Sequence, residues 1–345
     1  MHLKKSFLIA ILLSFISLSA WEIYWRSQGY HPTINDEKAL WAKERAKLED
    51  ATQNDVVFLG SSRVYFDFQK KVWEKETGIK PIQLAVPGTS PLPALTDVVE
   101  NTNFTGTVII GVTPGLFFST TYPKAPPWDR MQSNIDFYHN LTYAQKSNFF
   151  LSIPLQKNLV MMSADEEEWS DDIDLKALLR RQNTGERNGK TLAPPFYNFG
   201  DINYDRNMAM SERAATDTAF ANSIIRVWNY FAGVSPPPDK EATTTYFLKD
   251  ATKFLARGGK LILVRCPSSG GTRIGENKFL NRETHWDSLV NLVNAKTYHF
   301  EDYDQLKTLT CPEESHLSKK DAEFFTKELA QIMIKDNAIS NLNTH

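Results

Sequence analysis

Four short runs of β-branched and apolar residues, each bounded by glycine or proline, limit what this chain can fold into more than any other feature. They are Asp55–Leu59 before Gly60, Ile82–Val86 before Pro87-Gly88, Thr107–Val112 before Pro114-Gly115, and Lys260–Arg265 after Gly258-Gly259. Such runs, apolar without alternation, suit strands buried on both faces, as in a parallel sheet. Segments with helical character lie among them: Asp36–Glu49, Val72–Thr77 ending at Gly78, Leu92–Asn101, Thr245–Ala256 and Trp286–Asn294. Tyr298–Asp302 is a fifth, shorter strand candidate. Ser318–Asp336 carries Ala322, Phe325, Leu329 and Ile332 at helical spacing after a serine N-cap. The alternation predicts an α/β fold, a three-layer α/β/α sandwich with a mostly parallel sheet.

Phe117–Thr244 breaks that rhythm. It holds an acidic run (Asp165–Asp174), a basic patch (Arg180, Arg181, Arg187, Lys190), the turn-rich Pro194–Tyr204 and Pro236–Pro238. A stretch so long is not a structureless loop inside a compact domain. It reads as a partly helical insertion at about 117–244, folded over the end of the sheet that carries the chemistry, with Leu175–Arg181 and Met210–Phe231 as its helices. The acidic run reads as a solvated face.

Residues 1–26 stand apart from the globular part. Lys4 and Lys5 precede an apolar run from Ser6 to Trp21 that continues through Ile23, Tyr24 and Trp25. A helix of roughly 20 residues spans the ~30 Å hydrocarbon core of a bilayer. Trp21, Tyr24, Trp25 and Arg26 resemble an interfacial belt, which favours a retained anchor through residues 6–25 over a cleaved signal, for which Ser17–Ala20 offers only a mediocre site. The basic residues come first, so the main domain is expected outside the cytoplasm, either as a single-pass membrane protein or, after cleavage, as a secreted or periplasmic one. Residues 27–54 form a polar connector and helix, and 55–336 the α/β domain. With 39 basic and 41 acidic residues, no broad nucleic-acid surface is expected. His2, His31, His139, His285 and His345 lack ligand-like spacing and His299 sits on a strand candidate, so neither a metal site nor a cofactor is expected.

Ligands of open α/β sheets bind beyond the carboxyl ends of the strands. There the chain places Gly60-Ser61-Ser62-Arg63, Pro87-Gly88-Thr89-Ser90 and Gly111-Val112-Thr113-Pro114-Gly115. Cys311-Pro312-Glu313-Glu314-Ser315-His316-Leu317 stands just before the last helix. A serine on a strand-to-helix turn exposes its hydroxyl, and a histidine three residues after a carboxylate can be held to deprotonate it. Together these blocks resemble the SGNH (GDSL-type) hydrolase superfamily, in the membrane-anchored extracytoplasmic branch that includes envelope O-acylation and D-alanylation proteins. The resemblance covers the four core strands and the last helix, but not Phe117–Thr244. It implies a flavodoxin-like SGNH fold with Ser62 as nucleophile, His316 as base and Glu313 as orienting acid. The oxyanion hole would come from Ser62, Gly88 and Thr113. Thr113 stands where the family has asparagine, a shorter reach, and Glu313 replaces an aspartate.

Arg63 and Arg265, at the same sheet edge, are substrate-binding candidates, or else partners of a local carboxylate such as Glu276 or Glu313. Cys266 and Cys311 can either clamp the histidine loop as a disulfide or stay buried thiols. The expected function is a serine-dependent acyl ester hydrolase or O-acyltransferase on a cell-envelope glycan or other acylated surface molecule. It would pass through an acyl-serine and, for transfer, use a membrane acyl-donor protein. The alternative is a non-catalytic SGNH-fold scaffold or binding subunit of an envelope assembly.

Overall fold

The structure, a computed structural model, describes residues 2–28, 31–119, 125–162 and 194–344. The acidic run, the basic patch and the helix expected at Leu175–Arg181 lie outside the described residues.

Five strands, β1 (Val56–Leu59), β2 (Ile82–Gln83), β3 (Thr107–Gly111), β6 (Lys260–Arg265) and β7 (Lys296–His299), form one parallel sheet in the order β2-β1-β3-β6-β7. A two-stranded antiparallel hairpin, β4 (Gly200–Ile202) and β5 (Met208–Met210), stands apart in the insertion. The helices are α1 (His2–Ser27), α2 (Lys38–Ala46), α3 (Ser62–Asp67), α4 (Lys70–Thr77), α5 (Leu92–Asn101), α6 (Pro114–Phe117), α7 (Pro126–His139) and α8 (Tyr143–Asn158). After the hairpin come α9 (Glu212–Thr216), α10 (Thr218–Val234), α11 (Lys240–Ala256), α12 (Gly270–Phe279), α13 (Ser288–Val290) and α14 (Lys319–Lys335).

Each of β1, β3 and β6 feeds two cores because successive side chains point to opposite faces. Val56, Phe58, Ile109, Ile262 and Val264 pack with Val64, Trp73, Phe325 and Leu329 of α3, α4 and α14. Val57, Leu59, Val108, Ile110, Leu261 and Leu263 pack with Trp41, Leu95, Val98, Phe247 and Phe254 of α2, α5 and α11. Burial on both faces gives the strands their unbroken apolar runs, and it makes the architecture α/β with helices on both sides of a parallel sheet.

Four expected elements differ. The strand expected at Tyr298–Asp302 is β7, Lys296–His299, followed by a 3-10 turn over Phe300–Asp302. The second strand keeps ladder bonds beyond Gln83, since Leu84 N–H donates to Phe58 O (2.9 Å) and Val86 N–H to Gly60 O (3.2 Å). Its outer edge is taken by the guanidinium of Arg206, which donates to Gln83 O (2.9 Å) and Ala85 O (3.2 Å). The helix expected over Met210–Phe231 is instead the end of β5 followed by two helices. Asp217 divides them, its carboxylate capping Ala219 N–H and Phe220 N–H. The Trp286–Asn294 helix is a π-turn over Arg282–Asp287 running into the short α13.

Among the described residues one helix, Leu3–Ser27, is long and apolar enough to cross a membrane. Its far end is gripped by the globular part. Glu22 accepts from Val160 N–H (2.9 Å) and Met161 N–H (3.1 Å), and Arg26 donates to Asn158 O (2.7 Å).

Candidate active site

Strand register gathers three of the four blocks. Leu59 pairs with Ile110, so Gly60 and Gly111 each directly follow the last residues paired between β1 and β3, just before Ser62 and Thr113. Val86 bonds to Gly60, so Gly88 and Ser62 each lie two residues beyond that bonded pair. All three sit at the carboxyl edge of β1, β2 and β3, where the strand order reverses, the usual ligand position of such sheets. Ser62 and Thr113 are each partly exposed between buried neighbours, and Gly88 is partly exposed in a turn at φ +66°. Ser61 Oγ donates to Thr113 Oγ1 (2.8 Å), tying the first block to the third across the sheet.

Ser62 opens α3, so its N–H is one of the donors a helix leaves free at its start. The helix can begin this close to the sheet because Gly60 and Gly111 lack side chains. A Cβ at either position would collide with Val64 of α3.

The fourth block reaches the same helix. Phe66, one turn after Ser62 and on its face of α3, lies 4.7 Å from the His316 ring, centroid to centroid. On the adjacent face Asp67 Oδ1 accepts from Leu317 N–H (3.0 Å), and Arg63 Nε donates to Ser315 Oγ (3.3 Å). His316 and Glu313 are 1% and 0% exposed. Glu313 Oε1 meets His316 Nδ1 at 2.9 Å and also accepts from the His316 N–H. Among the described residues Nε2 has no hydrogen-bond partner, so the Ser62–His316 bond is not made in this structure. Catalytic bonds of this kind are often loose until substrate is bound.

The two adjacent glutamates have separate tasks. Glu314 holds φ +74° and turns its carboxylate to the start of α12, accepting from Thr272 N–H (3.0 Å). A negative charge there complements the helix dipole. A Cβ at Gly270 would strike that carboxylate.

The insertion contributes groups that sequence reasoning did not single out. Trp228 of α10 donates its indole N–H to Glu313 Oε2 and to Glu313 O (3.1 Å). Phe199 and Trp228 lie 5.5 and 5.7 Å from the imidazole, completing with Phe66 an aromatic enclosure around it. Arg130 of α7 stands over the second block. Its Nη1 is 3.5 Å from Gly88 O and would be 2.8 Å from a Cβ at Gly88. No motif marks these residues, since their partners are distant in the chain.

Both arginine candidates face Glu276 instead of open space. Arg63 Nη2 is 2.8 Å from Glu276 Oε1 and Arg265 Nη2 bonds Oε2, with the two arginines 3% and 2% exposed. Burial opposes ionisation of Glu276, yet the guanidiniums of Arg265 and Arg63 hold its carboxyl down at about 2. Burial also brings Arg265 down to about 10. Of the two readings of these arginines, the structure shows the pairing with Glu276 and not a substrate grip: α3 turns Arg63 to the face that also carries Asp67, adjacent to that of Ser62 and Phe66.

The disulfide between Cys266 and Cys311 is corrected too; both are buried free thiols. Burial raises both thiols well above their ordinary range, and the Asp67 carboxyl beside them acts in the same direction. Asp67, with Oδ2 unpartnered, is itself pushed well above the usual carboxylate range by burial. His299 ends β7 with its Nδ1 accepting from Glu301 N–H (3.2 Å). Burial, then Arg265, Arg282 and Arg273, lower it to about 2.

No family model matches this chain, and no curated protein matches it.

Proposed function

We propose that the chain is an SGNH-type serine acyl ester hydrolase or O-acyltransferase. It would be anchored in the membrane by α1, with its main domain extracytoplasmic, and act on a cell-envelope glycan or other acylated surface molecule. One observation carries the reading. A part-exposed serine at a helix start shares one sheet edge with Gly88 and Thr113, beside a buried His316–Glu313 pair whose Nε2 is uncommitted.

In this mechanism Ser62 Oγ attacks the acyl carbonyl while its proton passes to His316 Nε2. Glu313 Oε1 holds the Nδ1–H and balances the imidazolium that forms. Trp228 fixes the other carboxylate oxygen. The N–H groups of Ser62 and Gly88 receive the oxyanion. Thr113, which accepts from Ser61, keeps its own hydroxyl hydrogen to donate. Collapse expels the alcohol, protonated by His316, and leaves acyl-Ser62 for water or a sugar hydroxyl to resolve. In the transferase the acyl group comes from a membrane acyl-donor protein. Arg130, exposed at the rim beside Gly88, is placed to meet the polar part of a substrate.

The second reading, a non-catalytic scaffold or binding subunit of an envelope assembly, is favoured by the unmade Ser62–His316 bond. Fluorophosphonate labelling and p-nitrophenyl acetate hydrolysis separate the two. The enzyme reading expects labelling that disappears in Ser62→Ala; a folded wild type that neither labels nor turns over leaves the scaffold.

A further inference from the structure

Helix α8 turns an apolar face to solvent. Tyr143, Phe150, Leu151 and Leu155 are 85%, 74%, 68% and 47% exposed, whereas Ile153 and Gln156 face inward. At 100° per residue the four exposed side chains, with Pro154, fall on one side of the helix. The helix carries Lys146 and Lys157 and no carboxylate. Its position gives the face a meaning. The carbonyl of Asn158, its last residue, accepts from Arg26 (2.7 Å), and the next turn, Val160–Met162, is bound through its N–H groups to Glu22. Both anchoring residues sit at the end of α1 where Trp21, Tyr24 and Trp25 cluster, the aromatic level of a membrane interface. Helix α8 is thus pinned at one end to the height at which a bilayer would stop.

We propose that α8 lies in the plane of the membrane, its outward face sunk into the headgroup–acyl boundary of the leaflet in which α1 ends. Such helices bury an apolar face by ~5–10 Å, and lysines beside it favour anionic headgroups. The continuity of α8 with the end of α1 selects lipid over a protein occupant. The inference rests on α1 being a retained span.

Hydroxyl-radical footprinting of the full-length protein, one copy per nanodisc of phosphatidylethanolamine and phosphatidylglycerol, tests it. Two internal references are needed. Leu292 is 58% exposed and precedes β7, at the sheet edge opposite β2, and Phe15 lies within α1. Normalised to exposure, Tyr143, Phe150, Leu151 and Leu155 should be modified several-fold more slowly than Leu292, as Phe15 is. In Leu151→Glu/Leu155→Glu, which alters only exposed positions, Tyr143 should regain the Leu292 rate. Reactive α8 residues beside a protected Phe15 would overturn the in-plane helix and leave the anchor standing, whereas a reactive Phe15 would remove the anchor itself. Protection that appears only with two copies per disc would assign the face to a second copy and also overturn the proposal.

Discussion

Glu313 divides its two oxygens, giving Oε1 to the imidazole and backbone N–H of His316 and Oε2 to the indole of Trp228. A hydrogen bond to a charged group is worth about 1.5–3 kcal/mol. Trp228→Phe, which keeps the ring and loses the donor, should therefore lower ester-hydrolysis kcat by about tenfold and lower Tm as well. Asp67 supports a second test. Its carboxyl is raised in the folded chain, which therefore keeps a proton that the unfolded chain gives up near pH 4. Its contribution to stability is complete below that pH and is lost as pH rises toward the folded value, by up to about 1.4 kcal/mol per pH unit. Asp67→Asn does not titrate, so its Tm advantage over wild type should widen from pH 5 to pH 8; a constant difference would show that Asp67 is ionised in the folded protein.

At the scale of the element, the close seat of α3 on the sheet depends on two glycines meeting one valine. Adding a methyl at Gly111 drives into a Val64 methyl but leaves Val64 Cβ at 3.4 Å, whereas at Gly60 even Val64 Cβ is 2.7 Å away. Overpacking of this kind costs about 1–3 kcal/mol. Val64→Ala should therefore offset much of the loss in Gly111→Ala and little of it in Gly60→Ala, as urea denaturation of the two double-mutant cycles would measure. The strands were legible because burial on both faces writes a contiguous apolar run, and Gly78 and Ser318 marked helix ends that the structure retains. Other elements were not legible. Met208–Met210 is a short strand of helix-favouring residues made extended by its hairpin partner, and β7 begins at Lys296, two residues before the apolar signal at Tyr298.

Across the whole molecule, strand register brings the Ser62, Gly88 and Thr113 motifs to one edge and contacts with α3 bring the His316 motif to the same helix, so four short patterns distant in the chain meet in the fold. Trp228, Phe199 and Arg130 could not be picked out from such patterns, because the insertion meets the site through tertiary packing and leaves no spacing to read. For the arginines and cysteines the sequence left two readings open. Their types suggested roles, but depth within the fold assigns Arg63 and Arg265 to Glu276 and leaves both thiols unbridged. Iodoacetamide at pH 8 should modify neither Cys266 nor Cys311 in the native protein and both in urea without reductant; a bridged peptide recovered from unreduced protein would contradict this. The grip of Glu22 and Arg26 on residues 158–161 has a mechanical consequence. Distance between the apolar helix and the serine-bearing edge is set by that bracket and not by the length of tether joining α1 to α2. Splicing extra residues into the tether would add slack without adding reach, whereas breaking the bracket would let the whole globular body swing on its leash.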